Sequence, residues 1–456
     1  MTDSGPSTPR SRLTLARSGR FGVTLLVLLG LLLGGLGPAT QSRALAQAGA
    51  TQQGVEAIGA RIWHEQGIRG AGTKVAILDV GFAGYQAQLG RTLPAQVTTR
   101  SFRSDGNVAP PGTEHGTQVA EIVHAVAPET ELILINYDPA AGQTFQAAAE
   151  FAIAQRPTVI QASVYFFGAS DRGDGIGPGD DLVRRAQEAG ILWVQASGNF
   201  GQSHWRGGLT DADGDGFIDF APGVNRQTFT LAATTPVQIY LRWYDWELRN
   251  QDYDLVLESS DGRVVARSEQ RQNGGERDLP FEFIGPPTLA TLADGTYRIG
   301  IRIVRANRSV PIDLFVDPAT ISNPVNVGAL PLLTHLREVW TVGAVDFQSF
   351  QIQPYSDRGP TLDDRIKPNI VAPDAVTTTF GVFRGTSAAA PHASGAAALV
   401  KQANPTFTPV QIRQYLEARA VDLGPPGPDS TYGVGRLVLG TRILLPATAR
   451  SAQTGG

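Results

Sequence analysis

The sequence predicts an α/β protein, a parallel sheet flanked by helices, with an all-β sandwich inserted into it. Two observations predict this. From Val55 to Ser197 and again from Val339 to Leu445, helix-like stretches alternate with short apolar, β-branched runs, the rhythm of βαβ units. Between about Gln227 and Val316 the apolar period drops to two and convincing helix patterns disappear. At 456 residues with 42% hydrophobic and 18% charged side chains, the chain can build more than one core.

The N-terminus reads as an address. Ser, Thr and Arg dominate residues 1–20, and an apolar run of 14 residues follows, Val23 to Leu36. That run is shorter than the roughly 20 residues needed to span a bilayer. Ala44-Leu45-Ala46 then offers a signal peptidase its small-x-small pattern. Residues 1–46 are therefore expected to be an export signal cut after Ala46, the alternative being a membrane tether through residues 21–36. Either way the folded chain is expected outside the cytoplasm, secreted or anchored.

The first α/β part is expected over 47–222. Its strands are VAIL at 75–78, ELILIN from Glu131, TVIQASVYF and ILWVQAS, and its helices include VAEIVHAVAP, FQAAAEFAIAQ and DLVRRAQEAG. The sandwich is expected over 223–325. There Val237, Ile239, Leu241 and Trp243 alternate with more polar neighbours, as do Tyr297, Ile299, Ile301 and Ile303, and Asp261-Gly262 and Asp294-Gly295 supply hairpin-type turns. The α/β pattern resumes over 326–445, and 446–456 reads as a flexible tail.

Composition excludes several functions. Without cysteine there is no disulfide, thiolate zinc site or cysteine nucleophile. A net charge of −4 gives no electrostatic footprint for a phosphate backbone, so no nucleic-acid partner is expected. His64-Glu65 has no second His at helical spacing, and neither a Walker-type loop nor a Gly-x-Ser-x-Gly elbow occurs. His64, His124, His204, His335 and His392 lack partner patterns and read as structural.

Three polar residues stand at the edges of predicted elements. Asp79 ends the strand VAIL, where a carboxylate can orient an imidazole, although a turn-capping Asp would look the same. His115 opens a helix whose apolar stripe is Val119, Ile122, Val123 and Val126, a setting suited to a general base. Ser387 follows Gly385-Thr386 at the start of an Ala- and Gly-rich helix, near backbone N–H groups that can hold an oxyanion.

With their order, these residues resemble the subtilisin-like serine proteases, or subtilases. VAILDVG, HGT, QASGN, KPNIVAPD, GTSAAAPH and YGVGR carry the resemblance over about residues 54–205 and 337–440. It implies a subtilisin-like fold and a catalytic triad in which Asp79 orients His115, His115 deprotonates Ser387, and Ser387 attacks a peptide carbonyl. It also implies that Asn199 donates to the oxyanion. Ser163, Val164, Tyr165 and Gly168, in the segment SVYFFG, are implied to bind the substrate backbone and line its first pocket. The chain departs from the family pattern at Val80, Gln118, Glu121 and Ala388.

Asp211, Asp213, Asp215 and Asp219 occupy positions 1, 3, 5 and 9 of an EF-hand-like loop with Gly216 at position 6. Pro222 stands where the bidentate Glu belongs, so a full EF-hand is excluded while a structural calcium site and an empty Asp-Gly loop both stay open. The β segment, with IYLRWYDW and ADGTYRIGIRI, resembles bacterial prepeptidase C-terminal domains. The expected function is a secreted, monomeric serine endopeptidase acting on protein or peptide, with no cofactor required for chemistry. The alternatives are a catalytically silent scaffold that binds a partner outside the cytoplasm and a triad esterase.

Overall fold

The computed structural model describes residues 52–440 apart from 140, 165–177, 277, 287, 288, 290 and 332. The segments read as export signal and tail, and Tyr165 and Gly168, lie outside the described residues. The first α/β part comprises α1 (Gln52–Ala57), α2 (Ala60–Glu65), β1 (Lys74–Asp79), β2 (Thr98–Ser101), α3 (His115–Val126), β3 (Glu131–Asn136), α4 (Gly142–Ala154), β4 (Val159–Ala162), α5 (Pro178–Glu188) and β5 (Leu192–Ala196).

The insertion follows, as β6 (His204–Gly207), β7 (Gln227–Leu231), β8 (Thr235–Pro236), β9 (Gln238–Trp243), β10 (Asp252–Ser259), β11 (Val264–Ser268), β12 (Phe281–Ile284), β13 (Thr291–Leu292), β14 (Gly295–Arg305) and β15 (Ile312–Asp317). Then come β16 (Val339–Asp346), β17 (Ile370–Asp374), a hairpin of β18 (Val376–Thr378) and β19 (Gly381–Phe383), α6 (Thr386–Ala403) and α7 (Pro409–Glu417). Among the described residues no helix is long and apolar enough to cross a membrane.

Seven parallel strands form the main sheet in the order β17-β16-β5-β4-β1-β3-β2. Its strands inside the edge strand β2 are largely apolar on both sides because helices cover both faces. Val75, Ile77, Leu132 and Leu134 face α3 and α6, while Ala76, Leu78, Ile133 and Ile135 face α4 and α5. The expected stripe of α3 is fully buried, and α6 is buried from Thr386 to Val400. Its small residues allow this: a Cβ on Gly395 would fall 2.6 Å from Val126 Cβ, so only glycine lets α6 meet α3 this closely. At α7, Thr408 and Gln411 form a capping box, with Pro409 at the first helical position.

The insertion packs two antiparallel sheets, β11-β10-β14-β7 and β12-β9-β15-β6, around their own core. The period-two residues Ile239, Leu241, Trp243, Ile299 and Ile301 are fully buried there, as the alternation demands. Two details differ from the sequence reading. The sandwich includes Trp205 of β6, Ile218 and Phe220, upstream of residue 223, because β6 pairs with β15 despite having no alternating pattern of its own. Asp294-Gly295 does not close a hairpin, since β13 pairs with β8 while β14 pairs with β10 and β7. Local turn chemistry permits a reversal, but the partner is chosen by burial of the strand.

Where the sandwich meets the returning chain, fully buried Asp313 of β15 collects four donors. Arg206 binds it bidentately at 2.6 and 2.9 Å, Arg242 Nε at 3.0 Å and the Tyr244 hydroxyl at 2.7 Å, and His204 Nε2 lies 3.2 Å away. Burial alone would favour the neutral acid, but the Arg206 and Arg242 guanidiniums outweigh it and hold the carboxyl well below the usual carboxylate range. Arg242 also donates to the Leu330 carbonyl at 3.0 Å. Asp313→Ala strands two guanidiniums and is expected to cost about 3–5 kcal/mol, read from the urea midpoint of unfolding.

Candidate active site

Asp79 is the last residue of β1 and His115 the first of α3. Glycine brings them together. The Gly116 N–H donates to the Gly81 carbonyl at 3.2 Å, and a Cβ at 116 would fall 2.5 Å from that oxygen. With the helix end docked on the loop after β1, His115 Nδ1 lies 2.8 Å from Asp79 Oδ2. The other oxygen, Oδ1, accepts the Val80 N–H at 2.8 Å. Both oxygens of this fully buried carboxylate are thus satisfied without a hydroxyl at position 80.

Burial disfavours the His115 imidazolium, but the Asp79 charge and hydrogen bond more than offset it, so the imidazole is raised above its ordinary value. Its ring is still a third exposed on one side and meets the edge of Phe383 at 5.3 Å. An oriented, basic and partly open imidazole is what a general base requires.

Ser387 is the second residue of α6, behind Gly385 at φ 110°. Its Oγ donates to the Ser163 carbonyl at 3.2 Å, while Ser163 Oγ donates to the Ser387 carbonyl at 3.2 Å. Gln161 supports this pair by donating to Ser163 Oγ at 2.8 Å, and it accepts from Ser394. Ser387 makes no hydrogen bond to His115 in this resting arrangement. Such contacts commonly tighten only when substrate binds.

Asn199 stands across from the start of α6. Its Oδ1 accepts the Thr386 N–H at 2.9 Å and the Thr386 hydroxyl at 3.1 Å, which fixes the amide plane. The opposite end, Nδ2, has no partner among the described residues, and a Cβ on Gly385 would fall 3.0 Å from it. A fixed amide with a free N–H beside a nucleophile's turn can donate to an oxyanion. Of the expected substrate segment, Ser163 lies against Ser387, whereas Val164 is buried in the core and its carbonyl is engaged by Gln195.

Sequence reasoning missed Phe383 and the work of Gln118 and Glu121. Fully buried Glu121 accepts the Thr379 N–H at 3.0 Å, the Thr379 hydroxyl and the Thr92 hydroxyl at 2.7 Å, and Gln118 accepts the Thr378 hydroxyl at 3.0 Å. These departures from the family pattern tie α3 to the β18–β19 hairpin, which carries Phe383. A carboxylate beside the apolar stripe of α3 was the available signal. Elsewhere, burial pushes His124, His335 and His392 down to about 4, 3 and 4, so they are neutral at pH 7.

Carboxylate oxygens of Asp211, Asp213 and Asp215 lie within 4.8 Å of one another at the surface, a hard oxygen set of the kind calcium takes. Asp219 is not in this group; its Oδ2 accepts the Ala212 N–H at 2.7 Å.

Subtilisin BL of Lederbergia lenta is 41% identical over 197 residues, 40% of this chain and 64% of that protein. The minor extracellular protease Vpr of Bacillus subtilis (strain 168) is 25% identical over 452 residues, 83% of this chain and 52% of that protein. The chain therefore spans less than two thirds of the length of these curated relatives. Among solved structures, the CspB protease of Clostridium perfringens superposes with a TM-score of 0.59 at 18% identity, covering 83% of this chain and 95% of that one, a likeness of fold. The subtilase family model matches residues 70–228 and 308–435, well over half of the sequence and both sides of the sandwich, and the chain belongs to that family.

Proposed function

We propose that this chain is an exported serine endopeptidase that cleaves peptide bonds through Asp79, His115 and Ser387. The observation that carries the reading is the 2.8 Å pair between buried Asp79 and partly open His115. In this mechanism Ser387 Oγ leaves the Ser163 carbonyl, gives its proton to His115 Nε2 and attacks the substrate carbonyl. Asp79 stabilises the imidazolium that forms. Charge on the former carbonyl oxygen is met by Asn199 Nδ2 and by the Ser387 N–H at the start of α6. His115 then protonates the leaving amine, and water attacks the acyl-enzyme by the reverse path. Ser163, beside the nucleophile, would align the peptide together with Tyr165 and Gly168, which the resemblance implies, whereas Val164 is held in the core with its carbonyl engaged by Gln195.

Incubation with an unfolded protein substrate, followed by mass spectrometry of the new termini, tests the reading. Internal cleavages that vanish in Ser387→Ala support it, and cleavages that persist contradict it.

Asp211, Asp213 and Asp215 would hold a structural calcium ion between β6 and β7, adding stability and taking no part in the chemistry. At a hundredfold excess of calcium over its Kd, such a site stabilises by about 2.7 kcal/mol. A chelator is expected to lower Tm accordingly, and Asp213→Asn with Asp215→Asn to abolish the shift. The export segment lies outside the described residues, and the extracytoplasmic address rests on the sequence pattern.

A further inference from the structure

The sandwich and the main sheet meet at the loop that carries Asn199. Its neighbour Phe200, 2% exposed, packs against Phe315 of β15 with ring centroids 5.5 Å apart and an interplanar angle of 89°. The Val316 N–H donates to the Ser203 carbonyl at 2.9 Å, stitching the same loop to the same strand.

From the β16–β17 connection, fully buried Asp357 takes the backbone. Its Oδ1 accepts the Phe200 N–H, and its own N–H donates to the Gly198 carbonyl at 3.1 Å. The Gly201 N–H donates to the Tyr355 carbonyl at 3.0 Å. Among the described residues Asp357 Oδ2 has no hydrogen-bond partner, and it lies against Gly198, where a Cβ would fall 1.9 Å from it. Gly198 at φ 110° leaves room for the acid.

We infer that Asp357 and Phe315 are positioning residues for Asn199: Asp357 grips the Phe200 backbone and Phe315 of the inserted sandwich grips its ring, so the adjacent amide stays aimed at the carbonyl under attack. The inference rests on the reading of Asn199 given above, and it makes the insertion a working part of the active site. Burial, opposed only by the N–H groups of Phe200 and Gly201, pushes the Asp357 carboxyl well above the usual carboxylate range. Asn, of nearly the same shape, keeps a side-chain oxygen where Oδ1 accepts the Phe200 N–H and can therefore replace it.

The test is a double-mutant cycle on the full chain with a peptide substrate, measuring kcat and KM separately. Asn199→Ala is expected to lower kcat roughly 10²–10³-fold. Asp357→Ala is expected to lower it about 10–100-fold through misplacement, with KM little changed. Asp357→Asn should restore most of the rate. In the Asn199→Ala background, Asp357→Ala should cost almost nothing more, because the group it positions is gone.

An equal loss in both backgrounds, or an Asn variant as slow as Ala, overturns the inference and leaves the Asn199 reading standing. If Asn199→Ala itself leaves kcat unchanged, the Asn199 reading fails and the positioning role with it. Should Asp357→Ala not fold, Phe315→Leu crossed with Asn199→Ala carries the same test, with the same non-additivity expected and simple additivity overturning it.

Discussion

Ser387→Ala is expected to lower kcat by roughly 10⁶-fold, and His115→Ala by about as much. The two should not add. If His115 acts only by taking the Ser387 proton, removing both leaves the same residual rate as removing either, supplied by binding and the oxyanion donors. Single-turnover cleavage of a fluorogenic peptide measures all three variants, with circular dichroism confirming that each folds. Losses that multiply would mean that the two side chains act independently, which contradicts a single proton relay. Burial explains why folding should survive: Ser387 makes one hydrogen bond through its hydroxyl, and the helix around it is packed through alanine and glycine.

Asp79→Asn should keep the shape of the site and still lower kcat by about 10⁴-fold. The amide can hold His115 only by presenting N–H or oxygen to Nδ1, and it brings no charge to stabilise the imidazolium. The pH profile carries a second signature. The catalytic base works as neutral imidazole, and Asp79 raises His115 above its ordinary value. Activity should therefore be lost as pH falls through a value above about 6.5, and in Asp79→Asn that acidic limb should move to lower pH. An unmoved limb would mean that another group controls it.

Much of this was legible in the chain because it is local. Strands β1 and β3 are near-continuous apolar runs, which only a sheet buried on both faces explains, and the stripe of α3 follows from helical spacing alone. Asp79, His115 and Ser387 each sit at the end of such an element, so the elements deliver them to one edge of the sheet. What was not legible depends on partners far away in sequence. Glu121 looked like a departure in a motif until Thr379, 258 positions on, proved to be its donor. Strand β6 has no apolar alternation because His204 and Arg206 turn their polar groups to Asp313, over a hundred residues later. Phe200 and Asp357 become informative only once the sandwich and the β16–β17 connection are seen to close on the same loop.

The central claim is that Ser387 is an activated nucleophile, and covalent labelling tests it most directly. The purified full chain is treated with a fluorophosphonate at neutral pH, and intact mass is followed by peptide mapping. One adduct on Ser387, absent from Ser387→Ala and strongly slowed in His115→Ala, is the result expected. No adduct on a protein shown to be folded would contradict the account and favour a silent scaffold that binds a partner.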